Sequence, residues 1–203
     1  MAGLTTAGIK RAVASLADRA ESSAGALNAA DGRLGDGDLG ITVASGWREA
    51  SDRAAAVSDD VGLAFLALAK AFQAASASSF GTLTATALMS AATACKGRTE
   101  VPWNEVSVLL AGARDAMTAR GKGALGQKSV LDIIDALAAA TEGLAAPEEL
   151  MAAAVQACQR TLDRFRDKPA GLGRARMYAD RSIGMDDPGM LAVEVMVSAL
   201  AEG

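Results

Sequence analysis

The chain of 203 residues contains no histidine. That absence excludes a Ser-His-Asp triad, an imidazole general base and an HExxH zinc site, so chemistry here must run on carboxylates, hydroxyls, lysines, arginines or an oxygen-held metal. Aromatics make up 3% of the residues and 24 acidic side chains outnumber 20 basic ones, for a formal charge of -4. Neither the basic surface nor the stacking platforms of nucleic-acid binding are present, and no nucleic-acid partner is expected. The two cysteines, Cys95 and Cys158, form no C-x-x-C motif and fall in alanine-rich text, which predicts buried free thiols in a reducing compartment. The first residues lack a continuous apolar stretch of the signal-peptide kind, and nowhere do eighteen apolar residues run together. No membrane partner is expected, and the localisation expected is cytoplasmic. A Walker pattern G-x-x-x-x-G-K-[ST] is also missing, which argues against a P-loop nucleoside triphosphatase.

What is there is helix-forming. Alanine, the best intrinsic helix former, is the commonest residue, whereas the β-branched and aromatic runs that mark strands are scarce. Apolar residues recur at helical spacing in Ile9, Val13 and Leu16, in Phe65, Leu68 and Phe72, and in Val106, Leu109, Leu110, Ala113 and Met117. The pattern repeats in Val130, Ile133, Ile134 and Leu137, in Val155, Cys158, Leu162 and Phe165, and in Val193, Met196, Val197 and Leu200. Glycine-, aspartate- or proline-bearing breaks near 31–40, 57–60, 76–82, 96–104, 121–128, 143–149 and 167–188 separate the stripes. Seven breaks predict eight helices, and their short connections favour antiparallel neighbours in an all-α bundle or barrel.

Four breaks carry more glycine and polar character than a turn needs. The first places Asp31, Asp36 and Asp38 within eight positions, before a helix expected to begin near Ile41. Three crowded anions repel one another, and a hard divalent cation such as Mg2+ would relieve the repulsion through oxygen ligands. An ordinary Asp/Gly turn with a helix-capping aspartate explains the same spacing equally well. An EF-hand does not: the twelfth loop position is Trp47 counted from Asp36 and Thr42 counted from Asp31, where a bidentate glutamate is required. The second break, Ala75 to Thr82, is rich in serine and opens a helix, where free amides attract phosphate, although a serine cap alone accounts for it. The third, Arg120 to Ser129, ends in a capping-box-like Ser129-x-x-Asp132. The fourth runs from Lys168 to Asp187 and carries Arg174, Arg176 and Arg181 among glycines, the composition of a lid over an anion. Asp187 followed by Pro188 signals the start of the last helix.

In order and spacing, Asp31 with Gly35-Asp36-Gly37-Asp38-x-Gly40, Phe80-Gly81-Thr82, Gly121-Lys122 with Gly126-x-Lys128-Ser129 and Asp132, Gly173-Arg174-Ala175, and Arg181-Ser182-Ile183-Gly184-x-x-Asp187-Pro188-Gly189 resemble the L subunit of the dihydroxyacetone kinase family over nearly the whole chain. The resemblance implies one nucleotide-binding domain spanning 1–203, an up-and-down barrel of eight antiparallel helices, with ADP or ATP held at one end through two Mg2+ ions. It implies metal ligation by Asp31, Asp36 and Asp38, and a nucleotide bordered by Gly40, Ile41, Thr42, Ser76, Gly121, Val130, Arg174, Asp187, Pro188 and Gly189. Arg174 and Lys128 would add positive potential to the transferred phosphoryl group. The family pattern differs at Leu39 and near Met185, where histidines are usual, at Ala74 to Ser78, and at Leu125 to Ser129.

The same resemblance implies a kinase subunit of glycerol metabolism that works with a separate sugar-binding K-type subunit, which holds a small ketose through a histidine. A phosphocarrier subunit that recharges resident ADP is an alternative to exchanging ATP, and the chain could pair as a homodimer. The rival functional reading is a non-catalytic nucleotide-binding or regulatory helical module. The three retained carboxylates favour catalysis over it.

Overall fold

The computed structural model describes residues 3–75 and 77–202. Eight helices occupy most of this length: α1 (Thr6–Leu34), α2 (Leu39–Ala55), α3 (Val61–Ala75), α4 (Ser79–Ala94), α5 (Val106–Gly121), α6 (Val130–Ala140), α7 (Pro147–Arg166) and α8 (Pro188–Glu202). Each helix packs on the next in sequence, and α8 returns to α1, so the eight close into a ring. The only sheet among the described residues is a two-residue antiparallel pair, β1 (Leu4–Thr5) with β2 (Glu100–Val101), in which Leu4 faces Val101.

Local chemistry sets the helix starts. The Thr5 hydroxyl accepts from the Gly8 amide at 3.2 Å to begin α1, Pro147 with Glu148 and Glu149 opens α7, and Ser129 and Asp132 form the expected capping box of α6. The predicted stripes then become two apolar cores. One lies under α1 to α4 around Val43, Trp47 and Phe72, the two rings edge-on with centroids 5.0 Å apart. The other lies under α5 to α8 around Leu131, Ile133, Phe165 and Met190. Phe80, Leu191 and Met196 touch both. Cys95 and Cys158 are buried free thiols, as expected; burial pushes the Cys158 thiol up to about 12. No described helix is long and apolar enough to cross a membrane.

Several boundaries differ from the expected ones. Helix α1 runs through Asp31 to Leu34, so the first break shrinks to 35–38 and Asp31 sits in a helical last turn. Leu34 explains the extension: it is buried against Ala170 and Ala175, a third small cluster that also takes Tyr178 and Met185, so burial carries the helix past Gly32. Helix α2 begins at Leu39, not near Ile41. The stretch expected to be irregular up to Asp187 includes two short 3₁₀ turns, Arg174–Tyr178 and Asp180–Ser182. Leu200, counted in the last stripe, is 37% exposed near the end of α8.

Candidate functional site

One end of the ring carries a cavity bounded by the end of α1, the starts of α2, α4, α6 and α8, and the segment 172–175. Its floor is apolar, formed by Leu34, Leu39, Phe80, Leu83, Val130, Leu172 and Pro188. Its rim is charged: Asp31, Asp36 and Asp38 stand on one side, and Arg174 reaches across from the other to ion-pair with Asp36. An apolar floor with a few convergent polar groups at the mouth is the usual build of a cofactor site.

The acidic group is assembled by two elements. Asp31 projects from the last turn of α1, and Asp36 and Asp38 from the four-residue link to α2. Gly37 holds the link in a tight turn at φ +80°, a left-handed conformation that a side chain would strain. The Asp31 carboxylate fixes that turn, its Oδ2 accepting from the Gly37 amide at 2.9 Å and the Asp38 amide at 3.1 Å. One carboxylate oxygen from each aspartate lies within 4.8 Å of the others. Three hard oxygen donors at that separation, half-buried or exposed and open to water, fit Mg2+ rather than a softer metal.

The remaining expected site residues divide. Val130, Arg174, Asp187, Pro188 and Gly189 line the cavity together with the three aspartates. Ser76 lies outside the described residues, and Ser78 and Ser79 at the start of α4 line the cavity. The Ser78 hydroxyl accepts from the Gly81 amide at 3.0 Å as the cap of α4.

Gly40, Ile41 and Thr42, expected to border the nucleotide, do not line the cavity. The Gly40 and Ile41 amides are taken by the Asn28 side chain, and Ile41 is 59% exposed. A β-carbon at Gly40 would stand 2.0 Å from the Ala24 carbonyl oxygen, so glycine there lets α2 press against the α1 backbone. Gly121 ends α5 and also lies outside the lining, behind Leu83.

Lys128 requires a further correction. Expected to add positive potential to the transferred phosphoryl group, it is wholly buried, and its ammonium donates to the carbonyls of Arg166 at 2.9 Å, Lys168 at 2.8 Å and Ser182 at 2.7 Å. All three protons are thereby spent on backbone, and the side chain clips the segment after α7 to the start of α6. Burial pushes its pKa down, opposed by Asp187 and Asp186. The same segment is held by Arg166, whose guanidinium meets the Asp186 carboxylate twice, at 2.9 and 3.3 Å, and by the Ser182 hydroxyl, which accepts from the Ala170 amide at 2.7 Å. Asp187 is buried, and desolvation pushes its carboxyl up to about 6, against the pull of the Met190 amide and Lys128.

Sequence reasoning missed Asn28, Leu172 and the structural duty of Lys128. Asn28 carried one faint signal, standing three residues before Asp31 on what becomes one helix face.

The family model of the DAK2 domain matches residues 33–202. The chain is 28% identical over 184 residues to the PEP-dependent dihydroxyacetone kinase ADP-binding subunit DhaL of Escherichia coli K12, covering 86% of each. It is 28% identical over 185 residues to the ADP-binding subunit DhaL of PEP-dependent dihydroxyacetone kinase 2 of Listeria innocua, covering 87% of this chain and 84% of that one. Among solved structures, the dihydroxyacetone kinase from C. freundii in complex with AMP-PNP and Mg2+ superposes with a TM-score of 0.75 at 21% identity, over 98% of this chain. At that identity the likeness establishes the fold, and this chain spans about a third (34%) of that kinase.

Proposed function

Because the chain belongs to the DAK2-domain family, whose relatives above are kinase subunits, we propose that it binds ADP or ATP with Mg2+ in the end cavity and serves as the phosphoryl-transfer subunit of a small-ketose kinase. The observation that carries this reading is the convergence of Asp31, Asp36 and Asp38 at the mouth of an apolar cavity, with Arg174 opposite. Both relatives named above are ADP-binding subunits of PEP-dependent kinases. We therefore favour a resident ADP recharged by a phosphocarrier over an exchanging ATP.

In this reading Leu83, Val130 and Pro188 would form the apolar surface that receives the base, and the aspartates and Ser78 would stand on the phosphate side. Asp31, Asp36 and Asp38 would hold Mg2+, one or two ions, and the metal would supply neutralisation of the phosphate charge. Arg174 places a guanidinium against the transferred group, and the segment 172–175 covers the cavity from water. Lys128 contributes by fixing that segment's base, without touching the nucleotide. The acceptor hydroxyl belongs to a ketose held by a K-type partner, which must supply the histidine this chain lacks. Docking would use the lid face that bears Arg174, Arg176 and Arg181.

Calorimetry tests the reading. ADP with Mg2+ should bind the wild type, and Asp36→Asn should lose most of the metal-dependent affinity, since a neutral amide is a poor ligand for a hard cation. Unchanged affinity in Asp36→Asn would overturn it, as would ketose phosphorylation by the purified chain alone.

A further inference from the structure

Asp38 occupies the N-cap position of α2, yet its side chain makes no capping hydrogen bond. Aspartate at an N-cap ordinarily turns its carboxylate back onto the amide two or three residues ahead, because those helix-start donors have no partner within the helix. In α2 those amides belong to Gly40 and Ile41, and both are occupied. The Oδ1 of Asn28, on the neighbouring helix α1, accepts from Gly40 at 2.7 Å and from Ile41 at 3.3 Å. The cap of α2 is thus supplied by a different helix. One turn further along α1, Asp31 accepts from Gly37 and Asp38, so two side chains three residues apart satisfy four amide donors of the link and helix start, those of Gly37, Asp38, Gly40 and Ile41.

We propose that Asn28 is a positioning residue for the cation site: by capping α2 from α1, it releases the Asp38 carboxylate to face Asp31 and Asp36. The proposal rests on the metal-nucleotide reading above. Two features make asparagine suited to the task. Its amide oxygen is a good acceptor for helix amides, and it caps without bringing a fourth negative charge to the three carboxylates. Half-buried between α1 and α2, it also fixes the height of the acidic link against a close helix contact, the one at Gly40. Without it, Asp38 is the nearest group able to cap, and a carboxylate engaged with Gly40 and Ile41 is turned from the cation. The same arrangement removes the α2 amides from phosphate binding, leaving that task to the α4 start and Arg174.

Mn2+ binding in the presence of ADP, followed by electron paramagnetic resonance, tests this alongside thermal melting of the metal-free chains. Asn28→Ala should weaken Mn2+ binding about tenfold or more, the usual effect of removing a residue that orients a ligand. Its melting temperature should change little, because Asp38 takes over the cap. Asn28→Asp, which keeps the acceptor although it adds a fourth charge, should restore most of the Mn2+ affinity, because Asp38 is again released from the cap. A purely structural asparagine gives the opposite pattern, a lower melting temperature with wild-type Mn2+ affinity, and that result overturns the proposal. Failure of Asn28→Asp to restore binding also overturns it. If Asn28→Ala does not fold, Asn28→Gln displaces the acceptor by one methylene, and wild-type Mn2+ affinity in that variant is equally fatal. Absence of Mn2+ binding by the wild type, with ADP present, would instead overturn the metal-nucleotide reading itself.

Discussion

The Arg174 guanidinium is ion-paired with the Asp36 carboxylate, across the mouth of the cavity and 138 positions away in the chain. Arg174 thereby stands where a cation would otherwise neutralise Asp36. Both side chains are about half exposed, at 55% and 45%, so the pair is weak and easily exchanged. In the proposed function, a divalent ion arriving at the aspartates would displace the guanidinium, which would then be free to meet phosphate.

Arg174→Gln should consequently bind Mn2+ without nucleotide more tightly than the wild type, by roughly two- to fivefold, the worth of a surface ion pair. The same variant should bind ADP with Mg2+ more weakly. Equal or weaker Mn2+ affinity in the variant would show that the pair does not compete with the metal.

Removal of the buried ammonium should loosen the segment beside the cavity selectively. Lys128→Met leaves the carbonyls of Arg166, Lys168 and Ser182 without their donor, and each charge-assisted hydrogen bond is worth about 1.5 to 3 kcal/mol, offset in part because a buried charge disappears. A net loss of about 2 to 4 kcal/mol in denaturant unfolding is expected, with faster amide exchange over 168–184. Arginine should not substitute, since its planar fork does not fit a site shaped for three donors on one nitrogen. Unaltered exchange across that segment in Lys128→Met would contradict the clip.

Asp187 predicts a pH dependence whose sign follows from its raised folded-state pKa of about 6. The folded chain holds this proton more tightly than the unfolded one, so its contribution to stability is fully present below the ordinary aspartate range and is lost as pH rises through 6. Asp187→Asn keeps an acceptor for the Met190 amide, bonded at 2.9 Å in the wild type, and carries no charge to bury. Its stability relative to wild type should therefore improve between pH 4 and pH 7.5 by on the order of 2 to 3 kcal/mol. Urea unfolding at the two pH values measures this; a difference independent of pH would refute the assignment.

Eight helices were legible in the chain because alanine-rich text with apolar residues every three or four positions has no better way to hide them from water. The capping box at Ser129 and Asp132 was legible too, being a contact between residues three apart. The acidic triad could be read as a crowd of charge within eight positions. Its geometry could not: the spacing allowed a loop holding all three aspartates, whereas the burial of Leu34 against Ala170 and Ala175 draws the last turn of α1 through Asp31.

Lys128 illustrates the same boundary from the other side. The family resemblance implied that it adds positive potential to the transferred phosphoryl group, and only the return of the chain at Arg166, Lys168 and Ser182 supplies the three carbonyls that hold it. The sequence by itself determined the helical class, the caps at Ser129 and Asp187 and the crowding of Asp31, Asp36 and Asp38, because these depend on local propensity and on side-chain type. The tertiary structure alone decided which of those residues share a site, since Asn28 meets Gly40 through the packing of two neighbouring helices, and Arg174 meets Asp36 through the packing of elements far apart in the chain. Hydrogen bonds and ion pairs act over a few ångströms, and only the closed ring of helices brings such distant residues within that range.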